Sequence, residues 1–106
     1  MVFNSLLEPL EINDIILSNR FVFPAFQTNY ATSEGFITER LLRFYGQIAA
    51  GGSGLVIAGC MAVSDEGAPE TNVIKINDDR NIPGLKELFS LIKDNGSCHR
   101  AIIFDK

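Results

Sequence analysis

Apolar residues along this chain alternate between two kinds of pattern. Phe21-Val22-Phe23, Leu55-Val56-Ile57-Ala58 and Ala101-Ile102-Ile103-Phe104 are short unbroken runs, which predict strands buried on both faces. Between them the apolar positions recur every three or four residues. Leu41, Leu42, Phe44, Tyr45 and Ile48 form one stripe and predict a helix from about Glu39 to Ala50. Leu85, Leu88, Phe89 and Ile92 predict a second from about Pro83 to Asn95. Thr38 suits the N-cap of the first helix, Glu39 its positive dipole end, and Gly51 the left-handed position past its end. Pro83 fits a first helical turn and Gly96 ends that helix. Strand, helix, strand, helix, strand gives a parallel sheet with right-handed crossovers.

The connections carry the remaining signals. Leu10-Glu11-Ile12 and Ile15-Ile16-Leu17 flank Asn13-Asp14, a hairpin whose role is to cover apolar surface at the bottom of the sheet. Pro24 ends the first strand's ladder, and the chain then turns polar at Gln27, Thr28 and Asn29. Buried strands that open into polar loops present site residues in α/β enzymes, although the first strand of any α/β protein ends similarly. Gly51-Gly52-Ser53-Gly54 lacks the Lys-Ser/Thr of a phosphate loop and leads into a strand, so it reads as a connector. Gly59-Cys60-Met61-Ala62, at the end of the second strand, either lets a flat ligand approach the backbone or eases a turn. The long loop from Ser64 to Asn81, with Gly67, Pro69, Asn72 and Asp78-Asp79, is expected to be functional or mobile.

Composition narrows the classes. The 106 residues allow at most one domain, and 46% apolar with 21% charged residues is ordinary globular composition, so disorder is not the default. A net charge of -4 argues against nucleic-acid or anionic-membrane partners. Cys60 and Cys98 have neither metal-ligand spacing nor disulfide-scaffold density, so no metal site is expected. Glu8 and Glu11 precede any basic residue, unlike a secretory signal, and the apolar run Gly54 to Val63 falls short of the ~20 residues that span a bilayer. A soluble cytoplasmic protein is expected. His99, the single histidine, reads as a solvated loop residue.

Several segments taken together resemble a known family. They are Leu6-Leu7 with Pro9-Leu10, the hairpin from Ile12 to Leu17, Asn19-Arg20 with its strand, Gly35-Phe36-Ile37-Thr38, Gly51 to Ile57, and Ile82-Pro83-Gly84. Their order and spacing resemble the Old Yellow Enzyme family of FMN-dependent NADH:flavin oxidoreductases and ene-reductases, over nearly the whole chain and fading after about Gly96. The resemblance implies an α/β fold, the N-terminal portion of a (β/α)8 TIM barrel. Residues 1–18 would be the opening hairpin and residues 19–106 the first three strands and two helices. A complete barrel takes ~250 residues. The third strand would have an unpaired outer edge, open to self-association or to another chain.

Carried over by position, the resemblance sets Pro24, Ala25, Phe26 and Gln27 beside the isoalloxazine ring of FMN, with Gln27 near its C4 carbonyl and N5. Many members read Ala-Pro or Ser-Pro where this chain has Pro24-Ala25. Cys60 matches a position whose backbone approaches the flavin edge. Backbone contact is expected there, not thiol chemistry, because nothing nearby in sequence would lower the thiol's pKa. The third strand departs from the family, which follows its apolar pair with Gln. Here Ile102-Ile103 is followed by Phe104, Asp105 and Lys106, and Cys98-His99-Arg100 reads as extra or altered sequence before the strand. The family's substrate-holding His/Asn or His/His pair, its proton-donating Tyr and its phosphate loops have no counterparts, so no catalytic residue is assigned. The implied function is the N-terminal part of an FMN-dependent NAD(P)H oxidoreductase, of the ene-reductase or dienoyl-reductase kind, inactive alone. The alternatives are one part of a barrel assembled with a second chain, and a non-catalytic flavin- or nucleotide-binding module.

Overall fold

A computed structural model of the chain describes residues 4–68 and 71–104. Pro69, Asp105 and Lys106 therefore lie outside the described residues. Asn4–Leu7 form a single helical turn, α1. The expected hairpin follows, with Leu10–Ile12 (β1) antiparallel to Ile15–Leu17 (β2). Asn13 makes its turn at φ +52°, a conformation that asparagine tolerates better than most residues. The hairpin lies below the sheet, where Ile12 to Ile15 share a cavity of about 470 Å³ with Leu55 and Arg100.

The sheet is built around Leu55–Ala62 (β4). Val22–Phe23 (β3) and Cys98–Phe104 (β6) both run parallel to it, Val22 opposite Leu55 and Cys98 opposite Leu55 on the other side. A two-residue strand, Ile74–Lys75 (β5), pairs in parallel with Met61 and Ala62. Since β6 accompanies β4 from Leu55 to Ala62, β3 and β5 share the opposite edge, one after the other.

Helices Glu39–Ala50 (α2) and Ile82–Asp94 (α3) cover one face of this sheet. Leu41, Tyr45 and Ala49 of α2, Leu88 and Ile92 of α3, and Val56 and Ala58 of β4 are completely buried in this layer. Each such aliphatic side chain contributes roughly 1.5–3 kcal/mol by leaving water. Thr38 caps α2 as expected, its hydroxyl accepting the Leu41 N–H at 3.2 Å.

Several expectations are corrected. The first strand is not buried, because Phe21 and Val22 are each 47% exposed. Only Phe23 is covered, by Phe44 of α2 at a ring separation of 6.1 Å. The left-handed residue after α2 is Gly52 (φ +102°), while Gly51 stays right-handed (φ -69°) and still donates to helix carbonyls. The helix itself ends at Ala50 as expected, and only its left-handed closing residue lies one position further on. α3 begins one residue earlier than expected, behind a 3₁₀ turn at Asp79–Asn81. The third strand starts at Cys98, not Ala101, so Cys98-His99-Arg100 belongs to the strand and His99 is not a loop residue but stands opposite Val56. Polar residues at its start hid it from an apolar pattern, yet β4 offers a matching ladder. The loop from Ser64 to Asn81 is partly ordered by β5 and the 3₁₀ turn.

Candidate functional site

Parallel strands send their C-terminal ends to the same end of a sheet, where α/β proteins place ligands. Pro24 to Gln27 leave β3 at that end, and Cys60 lies there on β4, four positions past Val56, the partner of Phe23. Pro24 is exposed, Ala25, Gln27 and Cys60 are half-buried, and Phe26 is 57% exposed. Among the described residues the Gln27 amide has no hydrogen-bond partner. The Gly59–Cys60 peptide bond is cis.

Phe44 of α2 ties these segments together. Phe26 stacks on it at 6.4 Å and 23°, and Phe23, Tyr30 and Tyr45 meet it edge-on at 6.1, 5.9 and 5.2 Å. Tyr45 in turn donates from its hydroxyl to the Gly59 carbonyl and accepts the Gly59 N–H, each at 3.3 Å. A chain of contacts thus runs from the loop after β3, through one turn of α2, to the end of β4. By periodicity alone Phe44 and Tyr45 are only members of the helix stripe. The signal for Tyr45 is its hydroxyl, since a buried tyrosine O–H must find a partner. Burial pushes that hydroxyl above its usual range, and burial also pushes the Cys60 thiol up. A thiol held protonated is a poor nucleophile.

The loops beyond β3 and β4 are bonded to each other. Asn72, at φ +61°, donates from its amide to the Ala31 carbonyl at 2.8 Å and accepts the Ala31 N–H on its own carbonyl at 3.2 Å. The Lys75 N–H donates to the Gly35 carbonyl at 3.0 Å. Gly35 sits at φ +89° directly against the Lys75 side chain, so a Cβ there would collide with it. Beside this junction is a polar cavity of about 310 Å³, lined by Glu34, Asp65, Lys75, Asp78 and Arg80 among others. Lys75 pairs with Asp65 at 3.1 Å and Arg80 with Asp78 at 2.7 Å. Hydrogen bonds from Lys75 and Asn77 hold the Asp65 carboxyl below its usual range, and those from Arg80 do the same for Asp78. Three carboxylates against two cations leave this cavity a small negative excess, and both cations are paired, so it presents no concentrated positive field to an anionic ligand. Among the described residues no group of three or more His, Cys, Asp or Glu could hold a metal ion. His99, in the first half of β6, lies far from this end of the sheet.

Comparison with known proteins decides the kinship. The pattern of the NADH:flavin oxidoreductase / NADH oxidase family matches residues 5–103. The chain belongs to that family. It is similar to the N,N-dimethylglycine/sarcosine dehydrogenase of Chromohalobacter salexigens, with 33% identity over 98 residues, 91% of this chain and 14% of that protein. It is also similar to the NADH oxidase of Thermoanaerobacter brockii, with 29% identity over 96 residues, 90% of this chain and 15% of that protein. Among solved structures, the Old Yellow Enzyme of Pichia sp. superimposes with a TM-score of 0.89 at 26% identity, covering 95% of this chain and 26% of that one. The chain therefore spans about a seventh of its curated relatives and about a quarter of that structure. Its β3, β4 and β6 are the leading strands of a TIM barrel, and α2 and α3 are outer helices.

Members of the NADH:flavin oxidoreductase family use FMN, with NADH or NADPH as reductant. The residues at the sheet's C-terminal end fit such a ring. Gln27 offers an amide with no described protein partner, and the half-buried Ala25 is small enough to let a planar group approach the main chain. Among the described residues no helix is long and apolar enough to cross a membrane.

Proposed function

We propose that residues 1–106, as one partial barrel domain, supply one wall of the FMN site in an oxidoreductase of this family and do not catalyse alone. The observation that carries the reading is the shared direction of β3 and β4, which delivers Pro24, Ala25, Phe26 and Gln27 to the same end as Cys60. When bound, FMN supplies the two-electron relay between NAD(P)H and an acceptor such as an electron-poor alkene. In this reading Gln27 donates its amide N–H to a ring carbonyl and Cys60 contributes main chain, its thiol staying protonated. Phe26, propped on Phe44, limits water at the ring's edge. Among the described residues no histidine stands at this end of the sheet, since the one histidine of the chain is in the first half of β6, so no pair of imidazoles is there to hold a substrate carbonyl.

The test is a titration of FMN into isotope-labelled chain, followed at the Gln27 and Cys60 amides, with NADPH oxidation by an enone measured in parallel. Shifts at both amides without turnover beyond free FMN are expected. Enzyme-like turnover sinks the claim of inactivity, and shifts confined to other residues sink the assignment of the wall.

A second reading has its own observation. Phe21 and Val22 are each 47% exposed, and among the described residues the outer edges of β3 and β6 pair with no other strand. A second polypeptide that completed the barrel would cover both. Size-exclusion mass checks this, since a monomer at micromolar concentration excludes self-association through these edges.

A further inference from the structure

Gly59 and Cys60 occupy an unusual position in β4. On one edge β3 ends opposite Val56 and β5 begins only opposite Met61. On the other edge the register with β6 shifts between Ala58 and Met61. Among the described residues of β4, Gly59 and Cys60 thus have a ladder partner on neither edge. Gly59 is nevertheless buried, so its N–H and carbonyl cannot turn to water. The Tyr45 hydroxyl takes both, donating to the carbonyl and accepting the N–H at 3.3 Å each. Tyr45 is 0% exposed, and a phenyl ring would fill the layer almost as well, so it is the oxygen that acts on the strand.

We propose that Tyr45 is a positioning residue, its hydroxyl replacing the lapsed strand ladder at Gly59 and thereby fixing the main chain that Cys60 presents at the C-terminal end of the sheet. Phe44, the preceding residue of the same helix, fixes Phe26. One turn of α2 therefore sets the spacing between the two segments that form the flavin wall, although neither aromatic residue is in it. What the segments face rests on the flavin reading above; the hold on Gly59 does not. The raised pKa of Tyr45 keeps the hydroxyl neutral, able to donate and accept together, throughout the physiological range.

The experiment is amide hydrogen exchange on the unmodified chain and on Tyr45→Phe. In the unmodified chain Gly59, despite its missing ladder, is expected to be protected like the paired Val56. A Gly59 amide that exchanges at an open-loop rate overturns the proposal without any variant. In Tyr45→Phe, exchange at Gly59 is expected to quicken by about tenfold while Val56 is unchanged, since only the two bonds at Gly59 are removed. Equal rates at Gly59 overturn it. FMN titration followed at Cys60 then gives a readout that general stability does not move. A dissociation constant raised by about tenfold, at unchanged Val56 exchange, supports positioning toward the ring. An unchanged constant overturns that part. If neither chain shifts with FMN, the flavin reading falls, and the exchange at Gly59 still decides whether Tyr45 holds the strand.

Discussion

The Oδ1 atom of Asn19 accepts the Gly54 N–H at 2.9 Å, and a Cβ at position 54 would collide with the Asn19 carbonyl oxygen. The same Oδ1 accepts the Phe21 N–H at 3.0 Å, and Nδ2 donates to the Gly52 carbonyl at 2.6 Å. One side chain thus joins the start of β3 to the connector that starts β4. Gly54→Ala is expected to cost about 1–3 kcal/mol by overpacking, and Asn19→Ala about 1–2 kcal/mol by removing its bonds to Phe21, Gly52 and Gly54, which leaves the Gly54 N–H only the Phe21 carbonyl at 3.0 Å. Urea unfolding of both singles and the double should show coupling, because the two changes disturb one contact. Strict additivity would remove the joint role given to this pair.

Thr38 works on two partners. Its hydroxyl accepts the Leu41 N–H at 3.2 Å and donates to the Tyr30 carbonyl at 2.6 Å, anchoring the loop after β3 to the start of α2. Thr38→Ala should lose about 1–2 kcal/mol, and Thr38→Ser only a few tenths, roughly, because the cap oxygen is kept. Denaturant midpoints of the two variants make the comparison, and equal losses would mean that the methyl group matters instead.

Core and surface leucines should differ sharply. Leu88 is 0% exposed between α2 and the sheet, and Leu7 is 60% exposed. Leu88→Ala is expected to destabilise by about 2–5 kcal/mol through the cavity it leaves, and Leu7→Ala by less than about 0.5 kcal/mol. A large loss at Leu7 would show that α1 is covered in solution, as by a second copy of the chain.

Acid should act on the loop junction. Hydrogen bonds from Lys75 and then Asn77 lower the Asp65 carboxyl below 3.8. A carboxyl with a depressed folded pKa stabilises above its unfolded value and loses that contribution as pH falls through the folded one. Stability should therefore decline below about pH 4, and Asp65→Asn should flatten that decline. Asp65 is well exposed, so the difference between the urea midpoints of the two chains at pH 3 and pH 7 is expected to be small.

Alkali should act on the helix layer. Burial raises Tyr45 above 10.0. The unfolded chain then ionises first, so the contribution of Tyr45 is intact below pH 10.0 and fades as pH climbs toward the folded value. Tyr45→Phe should be insensitive over that window, and a variant that declined as steeply as the parent would assign the effect to other groups.

The span of α2 is legible to the residue because three independent signals agree on it, namely a capping Thr38, a stripe from Leu41 to Ile48 and glycines behind it. Agreement across levels of that kind is what makes a segment readable. The hairpin is readable for the same reason. β5 is not, since Ile74–Lys75 is only two residues long and pairs through tertiary proximity. The start of β6 is hidden by Cys98, His99 and Arg100, polar residues admitted by a partner strand that local patterning cannot see. At the candidate site, the segment from Pro24 to Gln27 and Cys60 is found by resemblance. Tyr45 is missed because periodicity accounts for its ring and leaves its hydroxyl without a partner to name.

The buried members of the helix layer, from Ala31 to Ile92, all precede β6 in the chain. A polypeptide leaving the ribosome at about 5–20 residues per second can therefore close this layer while its third strand is still in the exit tunnel. The order of synthesis would then hand each later strand a finished template instead of a search, and the segment would act as the nucleus on which the rest of a barrel is wound.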